Sequence, residues 1–251
     1  MNIAFLSGLK SIKLYENVLR KCHDDITLLC ISEQEALCES RSPCRIDEVL
    51  YSLLTGFEAD VCIVMGWSFR ISRHLLSQFD FYNIHPSLLP KYRGPIPSVF
   101  QLLYNERESG VVLHKMISKF DAGPICFQQR FDISSNDTIA SFDLKVMRST
   151  VKLLKVFCHA IMQGTGTVFS RSQHGENGSY YSYKDLDLFI VTQNTTYESF
   201  KRIHRVLYNS YPVRVMQDGY LQEIETYSEH FQGHFTAFSL QDRIIYIDAK
   251  T

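Results

Sequence analysis

Residues 59–67 read ADVCIVMGW, an unbroken apolar run that constrains the fold more than any other stretch. It falls far short of the roughly 20 residues a membrane helix needs. It also lacks the polar–apolar alternation of a strand with one wet face, so it is expected to be a strand buried on both faces, the pattern of parallel sheets. Two earlier runs, NIAFLS (2–7) and ITLLCIS (26–32), have the same character. Between these runs lie amphipathic segments. Residues 13–22 place Leu14, Val18 and Leu19 on one helical face, and residues 46–56 carry Asp47 near the start and Gly56 at the end. Strand, helix, strand, helix, strand is the order of an α/β, doubly wound, Rossmann-like and mostly parallel sheet. The opening residues, MNIAFLSGLKS, are apolar too briefly and lack a charged leader, so they read as the first strand and not as a signal peptide.

Further along, the pattern predicts a short helix at 71–78, a helix at 97–106, strands at 111–117 and 125–133, and a long helix over 137–162. Asp137 and Thr138 can cap that helix, and Ile139, Phe142, Val146, Leu153, Phe157 and Ile161 recur at near-helical spacing. QGTGT (163–167) breaks it. Beyond, the texture turns to Tyr- and Ser-rich segments with little long helix. Residues 219–227, 234–240 and 243–249 are expected to be short strands. The chain is therefore divided into a catalytic domain, 1–170, and a small β-rich C-terminal subdomain, 171–251.

A net charge of −1 gives no global field to attract nucleic acid or membrane. The seven cysteines are odd in number and form no CxxC pair, which suits reduced thiols in the cytoplasm better than a disulfide framework. Cys126, in an apolar run, is expected to be packed and not nucleophilic. His230 and His234 have the spacing of a metal pair on a helix. The local pattern is strand-like, however, and no carboxylate or thiol cluster accompanies them, so no metal is expected. Ser7-Gly8 lacks the G-x-G-x-x-G spacing of a dinucleotide site.

The stretch NIHPSLLPKYRGP (83–95) concentrates an amide, an imidazole, a hydroxyl, prolines, an arginine and a glycine. Taken singly, each polar residue has a bland explanation: Asn83 a turn former, His85 a satisfied loop histidine, Asp121 in FDAGPI another turn former. Pro86, Pro90 and Pro95 stiffen the loop. Ligands of open α/β sheets bind beyond the carboxyl ends of the strands. Both 83–95 and 120–125 are expected to follow such ends and to meet over one cleft.

Asn83-x-His85-x-Ser87-x-Leu89-Pro90, then Arg93-Gly94, with Asp121-x-Gly123 thirty-six residues after the histidine, resembles the folate-dependent formyltransferases. The likeness covers roughly residues 1–165. Ala122 and Val112 stand where that family often has Thr, and neither touches the polar trio. The resemblance implies formyl transfer from N10-formyltetrahydrofolate to an amine, with Asn83, His85 and Asp121 as the catalytic residues. Asn83 would donate an N–H to the developing oxyanion. His85 would take the proton of the attacking amine, with Asp121 orienting its ring. The alternative, a protonated His85 beside the oxyanion with Asp121 managing protons, stays open. Met65, Gly66, Trp67 and Phe69 on one side, and Phe120, Asp121 and Gly123 on the other, would line the folate pocket. Trp67 has an equal alternative as a core plug.

The acceptor amine is open within the family. Methionyl-tRNA formyltransferases carry a larger, usually basic C-terminal domain, whereas residues 166–251 here hold at least as many acids as bases. SYYSYKDLDLF (179–189) and FKRIHRVLYNSYP (200–212) are similar to the segments after the catalytic domain in sugar N-formyltransferases. The resemblance therefore implies a nucleotide-linked amino sugar, a dTDP-linked 3- or 4-amino dideoxyhexose, as acceptor. Ser87, Arg93 and Tyr181 are the expected contacts, although Tyr181 and its neighbours could equally serve a core. A homodimer covering the C-terminal strand edges is expected, with no nucleic acid, membrane or metal as partner. Formylation of another amine such as methionyl-tRNA, hydrolysis of the donor to formate, and non-catalytic folate binding are the other readings.

Overall fold

The computed structural model describes residues 1–9, 12–40, 45–163, 170–173, 178–230 and 235–249. His234, Cys44 and most of the QGTGT break lie outside them. By contact the chain divides into two compact units. One comprises Met1–Gly94, Glu108–Asp132 and Leu144–Tyr180; the other comprises Pro95–Arg107, Ile133–Asp143 and Tyr181–Thr251.

The first unit is built on a six-stranded sheet of order β2-β1-β3-β4-β5-β6. Its strands are β1 (Asn2–Ser7), β2 (Thr27–Ser32), β3 (Val61–Met65), β4 (Phe81–His85), β5 (Glu108–Lys115) and β6 (Ile125–Asp132). The first four run parallel, while β5 and β6 join antiparallel. Alternation along each strand sorts the side chains to two faces. Ala4, Leu6, Cys62, Val64 and Phe81 pack with Ile46, Leu50 and Leu54 of α3 (Ile46–Gly56) and Leu75 of α4 (Arg73–Gln78). On the opposite face Phe5 meets Tyr15 of α1 (Ile12–Arg20), and Tyr82 and Phe127 meet Phe157 of α6 (Ile139–Met162). Helices on both faces complete the doubly wound α/β architecture read from the apolar runs. Helix α6 begins as expected, with Thr138 Oγ1 accepting from Ser141 N–H at 3.2 Å.

Two elements of this unit were not expected. Helix α2 (Glu33–Ser40) follows β2 directly. Strand β4 includes Asn83 and His85, which the sequence had placed in a loop. Asn and His weigh against a strand when read in isolation. Pairing on both sides, Val64 with Asn83 and His114 with Asn83, satisfies the backbone there and overrides that preference.

In the second unit, β7 (Val213–Gln217), β8 (Tyr220–Ser228), β9 (Thr236–Ser239) and β10 (Ile244–Ala249) form an antiparallel sheet of order β7-β8-β10-β9. It also contains α5 (Pro97–Leu103) and the eleven-residue α7 (Tyr197–Leu207), which corrects the expectation of little long helix beyond 165. Tyr197, Phe200, Ile203, Val206 and Leu207 are buried at helical spacing, and Thr196 caps the start by accepting from Ser199 N–H. Among the described residues no helix is long and apolar enough to cross a membrane.

Candidate active site

Phe81, Asn83 and His85 alternate on the β4 face that carries the α3–α4 core. The register sets His114 of β5 opposite Asn83, so its side chain shares that face. Asp121 enters from the β5–β6 connection in a left-handed conformation, φ +49°. A side chain disfavours that region, and it is held only where neighbours over-determine it.

The three residues named from the sequence converge. Asn83 Nδ2 lies 3.3 Å from Asp121 Oδ1 and 3.3 Å from His114 Nε2. The same carboxylate oxygen is 3.6 Å from His85 Nδ1 and 3.6 Å from His114 Nε2. Its other oxygen accepts the Gly94 N–H at 2.9 Å. His85 Nε2 is 2.8 Å from the Tyr92 carbonyl. A carbonyl only accepts, so Nε2 carries the proton and Nδ1 presents its lone pair to the carboxylate side. Two acceptors therefore face each other across 3.6 Å, an arrangement that a proton donor between them would complete.

The electrostatics follow from this burial. Burial pushes the His85 pKa down from the ordinary histidine value, against the opposing pull of Asp121 and the Tyr92 carbonyl, so the ring is neutral near pH 7. Burial alone would raise the Asp121 carboxyl. The charge that the His85 ring gains in acid, together with the His114 imidazole and the Gly94 N–H, outweighs it and holds the acid well below the usual carboxylate range. An ionised carboxylate beside a neutral imidazole is a proton-accepting pair poised at neutral pH.

The other residues expected at the site fall in several places. Met65 is buried at the end of β3. Gly66, at φ +59°, is followed by Trp67 and Phe69, whose rings pack edge-on at 6.0 Å against the α3–α4 core. Among the described residues the buried Trp67 indole N–H has no partner. The carboxyl ends of β1 and β3 are drawn together by Ser7 Oγ donating to Met65 O at 2.8 Å and Gly8 N–H to Gly66 O at 3.2 Å. A Cβ on Gly8 would sit 2.5 Å from that same Gly66 oxygen. Phe120 is 55% exposed, with the Arg70 guanidinium 5.6 Å from its ring centre. With Arg93, Lys119, Gly178, Ser179 and Tyr180 it lines a cleft of about 310 Å³. Ser87 is fully buried and donates to Lys91 O within its own loop. Tyr181 belongs to the second unit, where its ring stacks on Phe100 at 4.5 Å.

Sequence reading missed His114. Its only signal was its place in the strand VVLHKMI, and it points to the site only once the β4–β5 register is known. Cys126 is half-buried, and burial raises its thiol pKa, which suits a packed and inert group. Among the described residues no cluster of three or more His, Cys, Asp or Glu could hold a metal ion.

Gly123 is a steric requirement. A Cβ there would stand 1.7 Å from the Lys115 carbonyl oxygen, within the connection that carries Asp121. Gly123→Ala is expected to cost about 1–3 kcal/mol, as overpacking does, read as a lower denaturant midpoint at unchanged slope.

A Rossmann-like sheet bearing an amide, two imidazoles and a carboxylate on one face defines a site for acid–base chemistry. The chain belongs to the formyl transferase family, which it matches over residues 14–156. A methionyl-tRNA formyltransferase of Coprothermobacter proteolyticus is 41% identical over 113 residues, covering 44% of this chain and 37% of that protein. The chain spans about half the length of the curated relatives it matches, or less. Among solved structures, a 4-N formyltransferase from Francisella tularensis superposes with a TM-score of 0.71 at 17% identity, over 90% of this chain and 96% of that one. HypX from Aquifex aeolicus, in complex with tetrahydrofolic acid, superposes with a TM-score of 0.69 at 15% identity, over 98% of this chain and 43% of that one. These two likenesses are of fold.

Proposed function

We propose that the protein is an N-formyltransferase that moves the formyl group of N10-formyltetrahydrofolate to the amine of a nucleotide-linked amino sugar, with residues 1–170 carrying the chemistry. The observation that carries the transfer reading is the neutral His85 Nδ1 facing the ionised Asp121 Oδ1 across 3.6 Å. The donor would supply an electrophilic formyl carbon. The residues present suit the two charges that arise when an amine attacks such a carbon. His85 Nδ1 would take the amine proton, with Asp121 stabilising the imidazolium, and the imidazolium would return that proton to N10 as the formyl carbon–N10 bond breaks and tetrahydrofolate leaves. Asn83 turns an N–H toward the formyl oxygen as negative charge grows there. Its contacts in the free protein, both 3.3 Å, are long and cost little to exchange. Gly66 and Ser68 are exposed beside Trp67, and the Ser68 N–H, donated to Glu33 Oε1 in the free protein, would exchange that partner to meet the polar edge of a pteridine. The cleft lined by Arg93, Lys119, Phe120 and Tyr180 fits an anionic acceptor.

For the acceptor, the supporting observation is charge. Residues 166–251 hold eight Lys and Arg against ten Asp and Glu, a poor match for the polyanionic surface of tRNA. A sugar N-formyltransferase from Shewanella sp. FDAARGOS_354 shares the fold, with a TM-score of 0.68 at 17% identity over 90% of this chain and 97% of that one, and its name agrees with a sugar amine. The second reading, transfer to methionyl-tRNA, is favoured by the curated relatives, which carry that name. Mass spectrometry decides between them. Incubation with N10-formyltetrahydrofolate and a panel of dTDP- and other nucleotide-linked amino sugars is expected to add one formyl group to a 3- or 4-amino dideoxyhexose. Formylation of methionyl-tRNA alone would replace the sugar reading. Neither product, with tetrahydrofolate still bound, would leave a non-catalytic folate-binding protein.

A further inference from the structure

We infer that Gln173 is a positioning residue for this chemistry: its side-chain amide clamps the backbone on both sides of Asp121 and ties it to Arg93 of the β4 loop. The inference rests on the transfer reading above and goes beyond its catalytic trio. Gln173 lies outside the matched family region, which ends at residue 156. Its Nε2 donates to Asp121 O at 2.9 Å and to Gly123 O at 2.7 Å. Its Oε1 accepts from Arg93 Nη2 at 2.7 Å and from Arg93 Nε at 3.2 Å. All four polar valences of one neutral side chain are thus spent on two loops that must meet.

What this clamp holds is a conformation the chain would leave if released. Asp121 sits at φ +49°, where a residue with a Cβ is disfavoured. Its carboxylate is anchored by the Gly94 N–H, and Gly94 follows Arg93 directly. Arg93 Nε adds a second donor to Asp121 O at 3.2 Å. The neighbouring backbone fixes where Gln173 stands. Arg171 and Ile125 exchange both of their N–H···O bonds at 2.8 Å. Farther along the same segment, Ser179 accepts from Arg93 N–H at 2.9 Å and Tyr92 N–H donates to Ser179 Oγ at 2.8 Å. Arg171 therefore ties to the β5–β6 connection and Ser179 to the β4 loop, and Gln173 joins the two at the catalytic carboxylate's own peptide. Losing its donor leaves the Asp121 carbonyl on the longer 3.2 Å Arg93 Nε contact alone, so the peptide rotates and carries Oδ1 away from His85 Nδ1.

Two substitutions separate this role from a merely structural one. Gln173→Glu keeps the acceptor for Arg93 but sets an oxygen against the two carbonyls; Gln173→Met removes both halves. With N10-formyltetrahydrofolate and a dTDP-linked 4-amino dideoxyhexose, kcat is expected to fall about a hundredfold in each, the scale of a misplaced catalytic group, while KM for the formyl donor holds. A second readout needs no acceptor. The imidazole of His85, titrated by nitrogen NMR in the free protein, should move to a lower midpoint in Gln173→Met, because the carboxylate that raises it has moved off. Wild-type kcat in Gln173→Glu, or an unchanged His85 titration in folded Gln173→Met, would overturn the inference. His85→Gln run in parallel keeps the two claims apart. If it transfers formyl as fast as wild type, the transfer reading fails, and the NMR titration alone decides whether Gln173 positions Asp121.

Discussion

Replacing His85 with glutamine is expected to lower formyl transfer by about 10³-fold, within the range for loss of a general base. The substitution is chosen for geometry: a glutamine Nε2 can keep the bond to the Tyr92 carbonyl, which His85 makes at 2.8 Å, while the Nδ1 lone pair disappears. The variant should therefore fold and bind the donor yet fail in the proton step, so the loss appears in kcat. The pH profile is the sharper test. Burial depresses the His85 pKa, so the acid limb of the wild-type rate should have its midpoint below about 6.5, the ordinary histidine value. It should vanish in the variant. The sign for stability is the same. The unfolded chain binds this proton more tightly than the folded one, so the contribution is complete above the ordinary value and is lost as pH falls from there through the folded value. A rate limb rising with pH above 7 would contradict a neutral His85 as the base.

Asp121→Asn is expected to lower kcat on the order of 10⁴-fold, comparable to removing the carboxylate that orients a catalytic imidazole elsewhere. Asparagine keeps an acceptor for the Gly94 N–H, so the loop has reason to stay in place. Without the carboxylate, His85 loses the charge that opposes its desolvation. Its titration should therefore move lower still, opposite to what simple exposure of the ring would give. The stability profile offers an independent check. Asp121 titrates well below the ordinary carboxylate range in the folded protein, so its contribution is present above about pH 3.9 and is lost as pH falls below that. Acid unfolding of Asp121→Asn should lack this component. A variant with wild-type kcat and an unmoved His85 titration would show that the 3.6 Å approach has no part in proton transfer.

The trio was legible because Asn83, His85, Asp121 and the Pro and Gly residues around them keep a fixed spacing, and spacing survives in one dimension. Their strand context was not legible. FYNIH scores poorly as a strand by composition, and its identity depends on β3 and β5 pairing to either side. His114 illustrates the limit most directly. Thirty-one positions separate it from Asn83, and only the antiparallel register sets the two 3.3 Å apart. Helix α7 was missed for a different reason. Its apolar positions, Phe200, Ile203 and Val206, alternate with Lys201, Arg202 and Arg205, and in a Tyr-rich region the short strands drew the reading.

The sequence by itself determined the class of sheet, since unbroken apolar runs between amphipathic helices leave a chain few ways to bury both faces. Through its resemblance to the formyltransferases it also pointed to Asn83, His85 and Asp121, the residues proposed to carry the chemistry. Tertiary structure alone decided that His85 is neutral with its lone pair toward Asp121, that His114 joins them, and that Gln173 holds the carboxylate's peptide. The physical reason is range. Apolar periodicity is local and written along the chain, whereas desolvation, tautomer choice and charge coupling depend on which distant groups fold to within a few ångströms, and that is set only when the strands pair.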